Sequence, residues 1–365
     1  GRGLALSLLL GSLVGIAAAL LRDRLDHVFH SPAEVKEQLA IPLLGHVPHV
    51  SFFKGVREDK RFLLEELDRS VGDDGNEGIT RYQRFFYQEA FRNLFTSLRF
   101  LNSDAPLRSV ALTSSLPAEG KSLINVLLAK TLSEMGQRIL LVDADLRKPQ
   151  MHVRLGLNNL SGLSNLLTDE QQHWRDVIQP VAGYEGWSVL TSGRRPPDPT
   201  RLLSSARMHQ LVQEREQSGE FDLILYDTPP VLGLADAALV AEHVDGLMLL
   251  VSLNRVDRSM PAEAVARIRS SGASLLGVVT NAVKDEVLTG GGYGYGYGYG
   301  YGYGYGYGAY DPRTTYAYYQ QDGESADKPP LPSAPNNPSR WAVPIQALGL
   351  RASKLARRLM RWIDG

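Results

Sequence analysis

Six short apolar runs, separated by stretches of helical character, constrain the fold of this chain more than any other feature. They are SVALTS (109–114), RILLVDAD (138–145), WSVLTSG (187–193), FDLILYDTPP (221–230), GLMLLVS (246–252) and LLGVVTN (275–281). Runs of this length without polar alternation are typical of strands that are buried on both faces, and intervening helices connect parallel strands. The sequence therefore predicts an α/β fold, a mainly parallel sheet with helices on both faces, whose ligands bind at the carboxyl ends of the strands.

The segment that follows the first run, TSSLPAEGKS at 113–122, contains a phosphate-binding loop. It matches the pattern G-x-x-x-x-G-K-[ST], except that Ser115 replaces the first glycine. Backbone N–H groups of such a loop and of the helix after it bind phosphate oxygens. Lys121 would add a positive charge near the β- and γ-phosphates, and the Ser122 hydroxyl can bind Mg²⁺. The predicted nucleotide-binding residues here are Ser115, Glu119, Gly120, Lys121 and Ser122.

Three carboxylates end two of the later runs. Asp143 and Asp145 close ILLVDAD, and Asp227 closes LILYD. Because the carboxyl ends of parallel strands meet at one edge of a sheet, we expect these acids beside the phosphate loop, as a magnesium–nucleotide site requires. Residues two apart on a strand point the same way, so one acid can serve the metal while the other accepts a proton. Surface acids that share no site are the alternative.

The N-terminal residues are apolar. GLALSLLLGSLVGIAAALL (3–21) has 19 positions without a charge. That length crosses about 30 Å of hydrocarbon, so we predict a transmembrane helix at 1–21, with a buried core helix as the alternative. Arg22 and Arg24 predict that the following side lies in the cytosol. Since the chain begins at Gly1 rather than at methionine, we expect it to be the C-terminal part of a longer protein.

Composition divides the rest of the chain. We predict a cytosolic juxtamembrane linker at 22–80, with a short helix that has Ser31 as its N-cap and Pro32 as its first residue. The nucleotide-binding domain follows at 81–289, and 88–101 has the pattern of an amphipathic helix. A Gly/Tyr-rich tail at 290–320 and a Pro-rich linker at 321–345 come next. The last segment, 346–365, is a basic amphipathic helix that either lies on an anionic membrane or is bound by solvent or a partner.

The Gly/Tyr-rich tail contains twelve of the sixteen tyrosines of the chain. Glycine at every second position weakens any strand, and no apolar pattern links this tract to a core. An exposed tract can present its phenols to an active site one after another, or it can mediate weak, reversible association. The candidate acceptors are Tyr293, Tyr295, Tyr297, Tyr299, Tyr301, Tyr303, Tyr305, Tyr307, Tyr310, Tyr316, Tyr318 and Tyr319.

Together these segments resemble the bacterial tyrosine autokinases (BY-kinases) fused to a polysaccharide co-polymerase of exopolysaccharide export. The resemblance rests on SLPAEGKS as Walker A, ILLVDADLR as a second acidic motif, LILYDTPP as Walker B and the tyrosine cluster, and covers about 3–320. It implies an ATP- and Mg²⁺-dependent protein-tyrosine kinase domain at 81–289 that phosphorylates the tail at 290–320. It also implies a place in the bacterial inner membrane, with the kinase domain in the cytosol.

The resemblance further implies roles for single residues. Lys121 would contact the phosphates, and Asp143 and Asp145 would share the metal's water shell and the deprotonation of the acceptor, with Asp145 favoured as the base. Arg147 and Lys148 would steady phosphate or substrate, and Asn281 would contact adenine. The implied catalytic residues are Lys121, Asp143, Asp145 and Arg147, and the implied metal ligands are Ser122, Asp143 and Asp227.

The expected partners also follow from the resemblance. They are a second copy of the chain in a ring that phosphorylates between subunits, the polysaccharide polymerase and export machinery, a tyrosine phosphatase and the membrane. The family's Glu-x-x-Arg-x-x-Arg ring motif is incomplete here, because Glu89 and Arg92 are followed by Phe95, with Arg99 one turn later. A net charge of −1 gives no attraction to nucleic acid, and the absence of cysteine excludes disulfides and cysteine-based zinc sites.

Two other classes of function remain open at this level. One is a deviant-Walker ATPase that drives assembly or positioning by hydrolysis, without protein phosphorylation. Such ATPases have a further lysine four residues before the second glycine of the loop, where this chain has Leu116. The other is a non-enzymatic scaffold in which nucleotide sets only the oligomeric state.

Overall fold

The computed structural model describes residues 3, 7, 10–17, 20, 26–48, 77–101 and 106–283. For residues 77–86 and 283 it describes only the backbone. The strands are β1 (Leu43–Pro48), β2 (Ser109–Ser114), β3 (Ile139–Asp143), β4 (Gln179–Pro180), β5 (Trp187–Leu190), β6 (Leu223–Asp227), β7 (Gly246–Ser252) and β8 (Leu275–Val283). The helices are α1 (Pro32–Leu39), α2 (Glu77–Leu101), α3 (Lys121–Glu134), α4 (Met151–Leu155), α5 (Leu163–Thr168), α6 (Pro199–Leu203), α7 (Ala206–Gln217), α8 (Asp236–Ala241) and α9 (Ser259–Ser270).

The strands form one sheet in the order β1-β8-β7-β2-β6-β3-β5-β4. Every neighbouring pair is parallel except β4 and β5. All six predicted strands are present, so the prediction of a mainly parallel sheet is confirmed. The register places Asp143 opposite Asp227, and Leu112 lies opposite Asp227 on the other side of β6. The carboxyl ends of β2, β3 and β6 therefore meet at one edge of the sheet.

Both faces of the sheet are buried, as the continuous apolar runs predicted. Val110 and Leu141 pack in a cluster that includes the apolar residues of α2 and α3. Ala111 and Leu140, one position along on the same strands, pack in a second cluster with α1, α7 and α9. Since successive strand residues point to opposite faces, this alternation shows that helices cover the sheet on both sides.

The segment predicted as a juxtamembrane linker differs from the prediction in part. Its residues 26–48 belong to the fold of the domain, because β1 is the edge strand beside β8 and Phe29 is fully buried in the core. The predicted domain boundary at residue 81 therefore lies too late in the chain. The helix signal within the segment is confirmed: α1 starts at Pro32, and Glu34 N donates to Ser31 Oγ at 3.3 Å.

Several terminal predictions fall wholly or partly outside the described residues. The Gly/Tyr-rich tail, the Pro-rich linker and the C-terminal amphipathic helix lie outside them. Of the predicted membrane span, residues 3, 7, 10–17 and 20 are described, and they are helical. In the part of the chain that the structure describes, no helix is both long and apolar enough to cross a membrane.

Candidate active site

The phosphate loop joins β2 to α3 through a turn that requires special backbone conformations. Gly120 is the N-cap of α3 and has φ +102°, and Ala118 has φ +64°. A Cβ atom on Gly120 would lie 2.8 Å from Asn281 Nδ2, so both the conformation and the space favour glycine. No side chain caps the start of this 14-residue helix. Its first N–H groups therefore point to where a phosphate would bind.

Two side chains hold the loop against the rest of the sheet. Leu116 N donates to Glu119 Oε1 at 2.7 Å, and Ser252 N at the end of β7 donates to Glu119 Oε2 at 3.0 Å. Asn281 Nδ2 donates to the Glu119 carbonyl at 2.8 Å. Glu119 and Asn281 thus support the loop through these hydrogen bonds, and the binding of nucleotide by Glu119 stays a prediction. The contact of Asn281 with adenine stays a prediction.

Glu119 is a buried acid with a perturbed pKa. Burial raises the pKa of Glu119 from 4.5 to about 7, although the N–H groups of Leu116 and Ser252 and the charge of Arg255 act in the opposite direction. The cause is loss of hydration, which disfavours the ionised form. The support of the phosphate loop is therefore a group whose charge changes near neutral pH.

The structure brings the loop and two of the predicted acids together. Lys121 Nζ lies 3.4 Å from Asp145 Oδ2 and 3.8 Å from Asp227 Oδ2. Ser122 Oγ donates to Asp227 Oδ2 at 2.7 Å, and Asn125 Nδ2 donates to Asp227 Oδ1 at 2.9 Å. The sequence analysis missed Asn125; its place one turn after Lys121 on α3 was the available signal.

Asp143 lies in the same cluster but bonds mainly to the backbone. Its Oδ2 accepts from the N–H groups of Gln150 and Met151, both at 3.0 Å, which fixes the start of α4. Burial, and then the charges of Asp227 and Asp145, raise the pKa of Asp143 well above its usual range. Asp145 Oδ1 accepts from Lys148 N at 2.9 Å. The connection between β3 and α4 thus wraps around both acids.

The Arg147 guanidinium pairs with a buried acid, Asp236, that was not predicted from the sequence. Its Nε donates to Asp236 Oδ2 at 2.7 Å, and its Nη2 donates to Asp236 Oδ1 and Thr200 Oγ1, both at 2.9 Å. Asp236 is fully buried. A spacing of 89 residues gave no sequence signal for this pair.

The residues present fit a magnesium–nucleotide complex. Hydroxyl and carboxylate oxygens are the ligands that Mg²⁺ prefers, and Lys121 brings one positive charge to three buried carboxylates. Within the described residues, Ser115 Oγ is buried in the loop without a hydrogen-bond partner, and a phosphate oxygen would satisfy it. No three histidines, aspartates or glutamates of the described chain could hold a metal by themselves, so Ser122 and the phosphates would complete the ligand set.

The incomplete ring motif lies on α2. Arg92 Nη1 donates to Glu89 Oε2 at 3.5 Å, and both side chains are exposed. Phe95 points into the core, with 9% of its surface exposed. Arg99 is exposed, and its guanidinium carbon lies 5.9 Å from the centre of the Phe95 ring. The third position of the motif is therefore a core position here.

Known tyrosine-protein kinases are similar to this chain in sequence. No family model matches the chain. The tyrosine-protein kinase YwqD of Bacillus subtilis is 35% identical over 196 residues, which cover 54% of this chain and 81% of YwqD. The tyrosine-protein kinase wzc of Salmonella typhimurium is 31% identical over 283 residues, 76% of this chain but 37% of wzc.

Solved structures of tyrosine kinase domains are also similar to this chain. The kinase domain of the Escherichia coli tyrosine kinase ETK superposes with a TM-score of 0.58 at 28% identity, covering 74% of this chain and 99% of that domain. The BceF tyrosine kinase domain gives a TM-score of 0.56 at 28% identity, with 70% and 99% covered. On this similarity, which spans four fifths of YwqD, the chain belongs to the family of bacterial tyrosine-protein kinases.

Proposed function

We propose that this chain is an ATP- and Mg²⁺-dependent tyrosine autokinase that phosphorylates its own C-terminal tyrosine cluster. One observation supports this most: Lys121 and Ser122, at the start of α3, contact the carboxylates of Asp145 and Asp227. A phosphate-binding helix end, a lysine and buried acids are thereby joined in one site. This is the combination that phosphoryl transfer uses.

In the proposed site the loop binds and orients the phosphates of ATP. The N–H groups at the start of α3 face them, and Lys121 offsets their charge. Ser122 and Asp227 are the residues that would hold Mg²⁺, which would supply positive charge at the phosphate oxygens. Glu119 and Asn281 keep the loop in place through Ser252 and the Glu119 carbonyl. Positioning of this kind accounts for most of the rate enhancement in such reactions.

Asp145 is the proposed base. The tyrosine oxygen forms a bond to the γ-phosphorus, the bond from that phosphorus to the bridging oxygen breaks, ADP leaves, and the phenol proton passes to the carboxylate. The Oδ2 of Asp143 already accepts two backbone N–H groups, which leaves this oxygen less available to a substrate proton. Asp145 Oδ2 instead faces Lys121 at 3.4 Å, beside the phosphates.

The wider role is part of the same proposal. Transfer occurs between subunits of a ring, and the exposed Glu89, Arg92 and Arg99 of α2 offer charged contacts for a second copy. By resemblance to its family, the kinase regulates exopolysaccharide polymerisation and export at the bacterial inner membrane. A tyrosine phosphatase would reverse the modification.

Incubation of the full chain with γ-labelled ATP and Mg²⁺ tests the reaction class. We expect label on tyrosine in the protein. Label in free phosphate alone would support the positioning ATPase, and neither product would support the scaffold. Lys121→Met should abolish labelling, whereas the matched control Lys36→Met, at an exposed lysine of α1, should not change it. Undiminished phosphotyrosine in folded Lys121→Met protein would refute the site.

A further inference from the structure

The contacts of Arg147 assign a function to Asp236 and Thr200, two residues that were not predicted from the sequence. Arg147 lies two residues after Asp145, yet its guanidinium forms a two-pronged pair with Asp236 at 2.7 and 2.9 Å. Thr200 Oγ1 accepts from the same guanidinium and lies 3.4 Å from Asp236 Oδ1. Three separate segments thus meet at one point: the connection from β3 to α4, the start of α6 and the start of α8.

The surroundings of the Arg147–Asp236 pair favour a permanent ion pair over one that opens when substrate binds. Asp236 is fully buried, and the Arg147 side chain is 23% exposed. A buried carboxylate needs a charged, hydrogen-bonded partner, and a planar guanidinium matches it at both oxygens. Breaking the pair to move the guanidinium onto a phosphate would leave Asp236 buried without its partner. These contacts favour an anchoring role for Arg147.

Arg147 anchors the segment 146–150, which contacts Asp145, the proposed base. Asp145 Oδ1 accepts from Lys148 N within this segment, and Asp143 Oδ2 accepts from Gln150 N at its end. The phosphate loop is supported by Ser252 and Asn281, and by Val231 N and Leu232 N, which donate to the carbonyls of Ser114 and Ser115. The acids depend on the segment 146–150 in addition, so we expect a change at Asp236 to displace the acids more than the nucleotide loop.

Building on the proposed function, we propose that Asp236 and Thr200 are positioning residues for phosphoryl transfer, acting through Arg147 on the position of Asp145. Because a small misplacement of a reacting group slows a reaction much more than it weakens binding, their loss lowers the transfer rate and spares nucleotide affinity.

The test uses Asp236→Asn and Thr200→Val in the full chain. Asp236→Asn keeps the shape of the side chain and removes its charge, and Thr200→Val removes only the hydroxyl. The matched control is Asp222→Asn, which breaks a similar two-pronged pair with Arg138 at the opposite edge of the sheet. Thr200→Ser restores the hydroxyl and serves as the rescue variant.

Three measurements are made on each variant: transfer to tyrosine, affinity for a fluorescent ADP analogue, and hydrogen exchange of the amides of Lys148, Gln150 and Met151. In Asp236→Asn we expect transfer to fall by about tenfold or more, with ADP affinity within about twofold and faster exchange of these amides. Thr200→Val should show the same pattern more weakly, and Thr200→Ser and Asp222→Asn should behave as wild type.

Wild-type transfer in both folded variants would overturn the proposal, as would an equal loss of ADP affinity and transfer. If Asp236→Asn does not fold, Thr200→Val decides alone. A wild-type protein that labels no tyrosine would refute the proposed kinase function. In that case the amide exchange rates of Lys148, Gln150 and Met151 still decide whether Asp236 positions the segment.

Discussion

The buried Glu119 leads to a prediction about stability and pH. The folded protein keeps a proton on this acid up to a pKa of about 7, whereas in the unfolded chain the pKa returns to about 4.5. Between these values the folded state binds more protons than the unfolded state. The contribution of Glu119 is therefore fully present below pH 4.5 and is lost as the pH rises through 7.

The size of the effect follows from the two pKa values. A difference of about 2.5 in pKa corresponds to roughly 3 kcal/mol of unfolding free energy over the whole transition. Between pH 5 and pH 8 the loss should be about 2.5 kcal/mol. In Glu119→Gln this pH-dependent decrease in unfolding free energy should be absent, because glutamine does not titrate. The variant should nevertheless be less stable at low pH by about 1–3 kcal/mol, because an amide cannot accept from both Leu116 N and Ser252 N.

Urea unfolding of the full chain at pH 5, 6, 7 and 8 measures both effects. Trp174 and Trp187 are buried in the described domain, so their fluorescence reports its unfolding. The wild-type value minus the Glu119→Gln value at each pH cancels the titration of all other groups. This difference should fall by about 2.5 kcal/mol from pH 5 to pH 8. Parallel curves for the two proteins would refute the assignment of a raised pKa to Glu119.

Three further outcomes are expected. Gly120→Ala should weaken binding of a fluorescent ADP analogue about tenfold, because the left-handed residue would gain a Cβ atom 2.8 Å from Asn281 Nδ2; unchanged affinity would contradict the loop geometry. Gly162→Ala, whose Cβ atom would lie 2.2 Å from a backbone oxygen, should lower the unfolding free energy by about 3 kcal/mol, compared with about 1 kcal/mol for Gly136→Ala, which has open space. Asp145→Asn should slow tyrosine phosphorylation by about 10²–10⁴ while ADP affinity stays within about threefold. Equal losses of rate and affinity would place Asp145 among the metal ligands instead.

The sequence predicted those parts of the fold and site that depend on local pattern. Mostly apolar runs identified β2 and β7 at their observed bounds, because strands buried on both faces lack the alternation of polar and apolar residues. The spacing of the phosphate loop placed Lys121 and Ser122 at the start of α3. Parallel strand ends were enough to bring Asp227 to them.

The rest depended on tertiary contacts that no local pattern encodes. The strand β1, LLGHVP, is a short edge segment with histidine and proline, and its pairing with β8 joins residues more than 200 positions apart. The support of the loop by Asn281 and the pairing of Arg147 with Asp236 join residues 162 and 89 positions apart. Arg147 was predicted to steady phosphate or substrate, and its contacts with Asp236 and Thr200 were not predicted.

The parallel β8 strand determines where the tyrosine-rich tail is tethered. β8 ends at Val283 on the edge of the sheet that contains the active site, and four inter-strand steps separate it from β3. With about 4.8 Å per step and the extra length of β8, Asp143 lies no more than roughly 30 Å from Val283.

The ten residues from Val283 to Tyr293 span at most about 34 Å when fully extended, so Tyr293 is within range of its own subunit's site. Each later tyrosine of the Gly-Tyr tract lies two residues further along, which adds about 7 Å to the maximum reach. A tether of this kind gives the tail a high effective concentration at its own site. For the proposed autokinase, transfer within one subunit would therefore compete with transfer between subunits. A specific rate of autophosphorylation that is independent of enzyme concentration would identify transfer within one subunit, and a rate that rises with concentration would identify transfer between subunits.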